Sequence, residues 1–474
     1  MKKYLLPFLF VFYLSGISLF AGTGAGEVQQ RIDSLLANDF FKKASISVDV
    51  FDLNEGKTLY QHQNKLLLHP ASNMKILTTS AALNFLGTDY EFETNFYYTG
   101  KIENSILVGD LYVVGGCDPD FTSADLEKAV LKIKELGIKR IEGNIYGDIS
   151  ALDGWYWGEG WMWDDDPSTD FPFMSALNIN KDAVAVSVSA GEKGKTKVEL
   201  TPNSEYFRVM NLGTVDSNAK TNIEITRDWV NRTNDIIVEG NISPKSGAIK
   251  KEVNVFRSYN YFLMLFKEAL VKHDIRVIGR NFIKDLPVDA VHITRITRKF
   301  GDVIVNLNKN SDNLSAEMTL RALALATAGK PASAANGIKM VDSLITLCGM
   351  NPREYKIVDG SGVSHYSLIT TELLLSVVKY MYNNKPELYK VLYNSFPIAG
   401  VDGSLSNRMK RSAAENNVHA KTGTLSGISA LSGYVTTKSN HQVAFSIMVQ
   451  NYIGGKSNAS KYEDAICKIL AEIE

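Results

Sequence analysis

The chain has 474 residues, of which 45% are hydrophobic and 22% charged, with a formal net charge of −1. These are the proportions of an ordinary globular protein, long enough for about three domains at ~150 residues each. A charge balance this even gives no electrostatic case for nucleic acid or an anionic membrane surface as partner.

Lys2-Lys3, the apolar run Tyr4 to Phe20 and the small residues Ala21 to Gly26 form the pattern of a secretory signal, expected over residues 1–25. The run is short for a spanning helix and no cysteine stands there to carry a lipid. Export, to a periplasm, is therefore expected, with no firm membrane insertion after cleavage. Val28 to Leu36 then reads as a helix, and Ala44 to Phe51 alternates as a strand. Asn54-Glu55-Gly56 turns that strand into a second one near Thr58-Leu59-Tyr60. After Pro70-Ala71 comes a helical run through Met74, Ile76, Leu77, Ala81, Ala82, Leu83 and Phe85. From about Tyr90 to Arg295 short alternating strands dominate: Phe92 to Tyr98, Leu111 to Val114, Ala183 to Val188, Lys197 to Leu200 and Ile236 to Val238, with a helix near Asp125 to Leu136. The polar stretch Asn308-Lys309-Asn310 predicts a loop. The far end supplies strands at His419 to Thr422, Ala430 to Val435 and Gln442 to Val449, and a helix from about Asn458 to Ile473. The fold class this implies is α+β, an antiparallel sheet flanked by helices.

Three cysteines, Cys117, Cys348 and Cys467, are too few for a disulfide framework and read as isolated thiols. The seven histidines are scattered, with no zinc spacing and no Ser-His-Asp arrangement, so neither metal nor cofactor is expected. His69 precedes Pro70 and reads as structural.

Three short motifs carry chemistry. Ser72-Asn73-Met74-Lys75, Ser311-Asp312-Asn313 and Lys421-Thr422-Gly423 spell S-x-x-K, S-D-N and K-T-G, the set of enzymes that acylate a serine with a D-alanyl peptide or penicillin. S-x-x-K also occurs at Ser217/Lys220 and Ser376/Lys379. Ser376 lies in an apolar helical run, however, and Ser217 precedes a strand-like stretch. Ser258-Tyr259-Asn260 fits S-x-N but opens an apolar helix with no partner motif. Ser72 alone sits where a helix begins, with free N–H groups and the positive end of the dipole beside it, and Lys75 shares its helix face. Ser311 precedes Lys421 by 110 positions but follows Ser72 by more than twice as many, so an insertion must separate the first motif from the other two.

The surrounding segments extend the pattern. They are Asn308 to Leu314 with Ala316-Glu317, Asp359-Gly360-Ser361-Gly362, Gly400 to Leu405, Gly109 to Tyr112 through Asp118-Pro119, and Gly147-Asp148 through Trp161 to Asp165. Over nearly the whole mature chain the sequence resembles the class C low-molecular-mass penicillin-binding proteins, the D-alanyl-D-alanine carboxypeptidase/endopeptidase family. It departs at Cys117, where that family usually carries glycine. The resemblance implies a split transpeptidase-like, β-lactamase-like domain over 26–89 and 296–474, interrupted by mainly β accessory structure over 90–295.

It also implies roles. Ser72 would be the nucleophile and Lys75 the base that takes its proton, provided that burial and a second cation, for which Lys421 is the candidate, lower the lysine pKa. Ser311 would relay the proton to the leaving amine, and Asn313 would hold the lysine and the substrate's peptide carbonyl. The N–H groups of Ser72 and Thr424 would form the oxyanion hole. Lys421, Thr422 and Thr424 would bind the terminal carboxylate, with Gly423 allowing substrate close to the strand. Asp164 and Asp165, beside Trp161 and Trp163, are candidates for holding the free amine of a stem-peptide diamino acid. No Glu-x-x-Leu-Asn stands between Asn313 and Lys421, so penicillin should leave a long-lived adduct. The expected partners are peptidoglycan stem peptides and β-lactams. The alternatives are a β-lactamase-like hydrolase and a non-catalytic wall-binding protein on the same fold.

Overall fold

The computed structural model describes residues 24–474. The expected export signal lies outside them, apart from Gly24 and Ala25, which open the helix Gly24–Leu36. Both ends of the chain build one five-stranded antiparallel sheet, in the order Lys57–His62, Ser45–Asp52, Gln442–Gln450, Ile428–Thr436, His419–Leu425. The N-terminal strand pairs along its whole length with the last one, Ile46 opposite Val449, Val48 opposite Ile447 and Val50 opposite Phe445. Strand alternation then sorts the side chains by face. Ile46, Val48, Val50, Phe445 and Ile447 enter a core closed by the helices Gly24–Leu36 and Ser457–Ala471. The opposite face, with Ala430, Tyr434, Ala444 and Met448, packs on a larger core that includes the helices Met74–Phe85, Asn313–Ala328 and Thr371–Asn384. Ser47 points to that side and its hydroxyl meets the Thr371 hydroxyl at 2.6 Å. Because both faces are covered, Ile428–Thr436 is buried at all but its last residue and its sequence runs apolar rather than alternating.

The insertion leaves and returns through two adjacent strands. Glu91–Tyr98 and Val291–Lys299 pair antiparallel, Glu91 opposite Lys299, so the bulk between them closes on itself without parting the main sheet. The expected limits at 90 and 295 fall at the start of the first strand and inside the second. Its interior forms one apolar core in which residues such as Phe96, Val113, Ile145, Val186, Val238 and Phe266 meet. Several small sheets surround that core, and two long helices, Ser123–Glu135 and Ser258–Lys272, join them. The first of these begins two residues before the position read from sequence because Thr122 and Asp125 cap it reciprocally. Cys117, standing where the resembled family has glycine, adopts φ 65°, a left-handed conformation that disfavours any Cβ by about 1–2 kcal/mol. It is buried, and its backbone N–H donates to Ala176 O at 3.0 Å.

One reading is corrected. Asn308 and Lys309 are not loop but the end of the helix Phe300–Lys309, and Asn313 already begins the next. Only Asn310, Ser311 and Asp312 join them. Ser311 takes φ 59°, and the Asp312 carboxylate caps the second helix by accepting from Ser315 N at 2.7 Å. The polar residues that suggested a loop serve a tight joint: buried Asn308 donates to Ser395 Oγ at 2.8 Å.

Ile447, fully buried where the chain ends pair, offers the direct check on this architecture. Ile447→Ala is expected to lower stability by about 2–5 kcal/mol, read as an earlier denaturant midpoint with unchanged slope. An unmoved midpoint would mean that the pairing of the two ends does not hold the sheet.

Candidate active site

The three motifs converge on one cleft of about 210 Å³, lined by Ser72, Ser311, Asn313, Thr422 and Thr424 from the motifs, with Asp170 and Phe171 from the insertion among the other wall residues. Ser72 stands in a single 3-10 turn, Ala71–Asn73, that runs into the helix Met74–Phe85. Ala71 takes φ 45°, a left-handed value for a residue with a Cβ. Gly362 allows this approach, since a Cβ there would fall 1.9 Å from Ala71 O.

Lys75 is wholly buried, and its ammonium contacts Ser72 Oγ at 2.9 Å, Asn313 Oδ1 at 2.5 Å and Ser361 O at 2.9 Å. Burial pushes its pKa down to about 8 against the pull of the carboxylates of Asp359, Asp312, Glu317 and Asp170. Lys421, equally buried, donates to Ser311 Oγ at 2.8 Å and Thr422 O at 2.9 Å. Its pKa is pushed well below the ordinary lysine value by burial first and by the charge of Lys75 second. Of the two expected causes, burial is the larger for Lys75, and the mutual repulsion of the two amines shows on Lys421. The motifs thus form two pairs in one cleft, Ser72 with Lys75 and Ser311 with Lys421, and Asn313 bonds to the first through Lys75.

Asn313 uses both ends of its amide. Its oxygen receives Lys75, and its nitrogen donates to Asp170 O at 2.5 Å. Thr422 shares a hydroxyl contact of 2.6 Å with Ser404, from the Gly400–Leu405 segment. Asn73 ties the Ser72 turn to the same strand, its amide donating to Lys421 O at 2.6 Å and its oxygen accepting from Ser432 Oγ at 3.0 Å. Gly423 also has a structural part to play. A Cβ there would lie 2.9 Å from Pro70 O and 3.1 Å from Ser72 N, so its missing side chain permits the close approach of the Ser72 turn.

Asp164 and Asp165 do not line this cleft. Asp164 is exposed, and Asp165 accepts from Met162 N at 2.8 Å across the turn Trp163–Asp165. The acidic residue that does stand in the cleft is Asp170. His69 is turned to the Ser367 carbonyl, at 3.1 Å.

Residues not assigned from sequence stand behind the lysine. The buried Glu317 carboxylate accepts from Gly360 N at 2.9 Å and Ser361 N at 2.8 Å, and pairs with Arg321 at 3.0 Å. Buried Asp359 accepts from Gly362 N at 3.0 Å, Ser364 N at 2.8 Å and Trp161 Nε1 at 3.2 Å. Together they fix the Ser361 carbonyl on which Lys75 rests. Their only sequence signal was position, inside segments already noted for the family resemblance. Among the described residues one group has metal-ligand spacing, Asp52, Glu55 and His441. None of them lines the cleft, and Asp52 already accepts from Asn54 N, Glu55 N and His441 Nδ1.

A serine and a buried lysine one helical turn apart, completed by a second Ser–Lys pair from distant segments, define a serine peptidase of the penicillin-binding class. The chain belongs to the D-Ala-D-Ala carboxypeptidase 3 (S13) family, whose pattern matches residues 28–473. It is 29% identical over 468 residues to a D-alanyl-D-alanine carboxypeptidase of an Actinomadura species, covering 95% of this chain and 86% of that protein. The D-alanyl-D-alanine carboxypeptidase DacB of Haemophilus influenzae is 28% identical over 410 residues, 85% of each chain. Its penicillin binding protein 4 (dacB) crystal structure superposes with a TM-score of 0.82 at 25% identity, over 94% of this chain and 99% of that one. The protein is therefore a serine-type D-Ala-D-Ala carboxypeptidase, a hydrolase acting on peptidoglycan, and the split α+β fold expected from sequence is the fold it has.

Gly423→Ala should displace the Ser72 turn. At about 1 Å of misplacement the penicillin acylation rate is expected to fall about 100-fold, while thermal unfolding stays cooperative. Unchanged acylation would show that the close contact of turn and strand is not what positions Ser72.

Proposed function

We propose that this enzyme cleaves the bond between the last two D-alanines of a peptidoglycan stem peptide through an acyl-enzyme on Ser72. The observation that carries the reading is the 2.9 Å contact between Ser72 Oγ and a fully buried Lys75 amine whose pKa is lowered to about 8. A substantial neutral fraction near neutral pH lets Lys75 take the hydroxyl proton as Ser72 Oγ bonds to the carbonyl carbon. The N–H groups of Ser72 and Thr424 receive the oxyanion. Lys75 passes the proton it took to the Ser311 hydroxyl, held by Lys421, as that hydroxyl gives its own to the departing amine nitrogen and the C–N bond breaks, which leaves Lys75 neutral again. Water then attacks the ester, with Lys75 again accepting the proton and Ser72 recovering its own.

Substrate binding sorts the two lysines. A terminal carboxylate arriving beside Lys421, Thr422 and Thr424 favours the charged form of Lys421, and that charge disfavours a second one on Lys75. The carboxylate of penicillin does the same, and its lactam carbonyl takes the place of the peptide. A cross-linked peptide presents the same D-alanyl carbonyl, so endopeptidase action uses the same groups. Asn313 would exchange Asp170 O for the substrate's backbone. The free amine of the diamino acid falls to the acidic stretch Asp164 to Asp170, with Asp170 at the cleft and Asp164 and Asp165 further back along the same segment. Action on the wall calls for export, which the leader-like residues 1–25 support, with a periplasm as destination. Among the described residues no helix is long and apolar enough to cross a membrane.

Intact-mass spectrometry after incubation with benzylpenicillin is expected to give one stable adduct, absent in Ser72→Ala. Penicillin turned over without an adduct would instead favour a β-lactamase. The acylation rate should climb about tenfold per pH unit below about 8 and level off above it, since only neutral Lys75 accepts a proton. Lys75→Arg, which stays charged, should lose at least about 100-fold; retained acylation would remove Lys75 as base. Asp170→Ala should lower kcat/KM for a diamino-acid peptide about tenfold, with penicillin acylation spared. A matching loss confined to Asp164→Ala, Asp165→Ala would move the amine site up the loop.

A further inference from the structure

Beside the Ser72 cleft lies a second and larger cavity, of about 690 Å³, inside the range of about 300–1,000 Å³ typical of small-ligand sites. The chain has five tryptophans and all of them gather here. Trp155, Trp157, Trp163 and Trp229 line the cavity, and Trp161 packs edge-on against Trp157 at 5.3 Å. Two are placed against the ordinary rule for large apolar side chains, Trp155 at 69% and Trp163 at 72% exposure. The rim is polar: Glu159 and Arg232 border the cavity, and Arg232 donates to Tyr156 Oη at 3.1 Å.

The platform is rigid from below. Arg227 is wholly buried, paired with Asp166, and donates to Thr233 O at 2.7 Å. This fixes both ends of the loop that presents Trp229, whose ring lies 4.9 Å from that of Trp163. The wall shared with the catalytic cleft is one layer of aromatic rings: Phe171, which lines the Ser72 cleft, stacks on Trp157 at 6.3 Å and meets Trp161 at 5.5 Å.

We propose that this cavity binds N-acetylated amino-sugar rings of the glycan strand that carries the stem peptide. The inference rests on the peptidoglycan-peptidase reading and extends it to the polymer's other half. A pyranose ring has apolar C–H faces and a rim of hydroxyl and acetamide groups. Exposed indole faces flanked by Arg232, Glu159 and the Tyr156 hydroxyl complement both features. A stem peptide of alanine, glutamate and a diamino acid has no comparable apolar face, and peptides are held instead through a free strand edge or charged pockets. The placement suits the connectivity of the substrate. The sugar is joined to the stem about four residues before the scissile bond, an extended reach of about 13 Å, which puts it beyond the cleft rather than inside it.

The test uses the purified enzyme and its Trp155→Ala, Trp229→Ala double variant. With the β-1,4-linked N-acetylglucosamine tetramer as probe, the wild type is expected to show a saturable change in tryptophan fluorescence that the variant lacks. In turnover, disaccharide-pentapeptide should exceed free pentapeptide in kcat/KM by at least about fivefold, falling to near one in the variant, with free-pentapeptide turnover and penicillin acylation unchanged. Equal kcat/KM for the two substrates in the wild type, a ratio the variant leaves intact, or no response to the tetramer would overturn the proposal. Loss of free-pentapeptide turnover in the variant would reassign the cavity to peptide. Absence of a penicillin adduct on Ser72 would count against the catalytic reading alone, since the tetramer titration does not depend on turnover.

Discussion

The structure depends on the burial of two lysine amines in one small cavity. A charged ammonium removed from water is disfavoured by several kcal/mol unless it is compensated, and here two compete for the same compensation. Lys75 and Lys421 are both fully buried, and both titrate below the ordinary lysine range. The fold tolerates one charge well, with Asp359, Asp312, Glu317 and Asp170 all favouring it on Lys75. It tolerates a second poorly. On the proposed mechanism a substrate carboxylate at Lys421 would draw the charge there and leave Lys75 neutral. The Ser72 hydroxyl, inert in water, stands beside an amine already lowered to about 8, and a filled site would raise its neutral fraction further.

This arrangement requires a scaffold stiff enough that the amines cannot escape to solvent. Three separate segments supply it. The Lys421 strand is bonded in register between Ile428–Thr436 and the Ser72 turn. The two-helix joint at Ser311 holds a left-handed residue in place through the Asp312 cap. Glu317 and Asp359 organise the backbone of Gly360 to Ser364 into a floor of donated N–H groups. Glu317 is balanced by Arg321, so removing either would leave the other as an unpaired buried charge. Trp161, reaching Asp359 from the insertion, couples that floor to the accessory part of the chain. The insertion is thus built into the catalytic floor as well as into the cleft wall at Asp170 and Phe171.

Much of this was legible in the sequence, for identifiable reasons. The three motifs declare themselves because their spacing is local and their context differs from chance matches such as Ser376, which the structure places in the helix Thr371–Asn384. Strand alternation and continuous apolar runs located the main sheet to within a few residues. Ser311 does stand on the short joint the sequence suggests, but Asn308 and Lys309 beside it are helical, because polar residues at a helix end look like loop residues until their partners are known. The work of Glu317 on Gly360 could not be read at all, since it spans 43 positions and no periodic pattern connects them. Of the acidic residues between Asp164 and Asp170, composition could not tell which faces the cleft, because that is set by the turn at Trp163–Asp165. The departure at Cys117 was visible, and its consequence is a left-handed backbone held by burial.

The claim on which the account turns is that both buried lysines titrate below the ordinary lysine range and that charge on one disfavours charge on the other. Nuclear magnetic resonance titration of lysine side-chain carbons in selectively labelled protein, with each signal assigned by single Lys→Arg replacement, measures this directly. The account predicts that Lys75 and Lys421 both titrate well below the exposed lysines, with Lys75 near 8, and that a D-alanyl carboxylate ligand raises Lys421 while lowering Lys75. Two signals that stay protonated past pH 10, unmoved by the ligand, would contradict it.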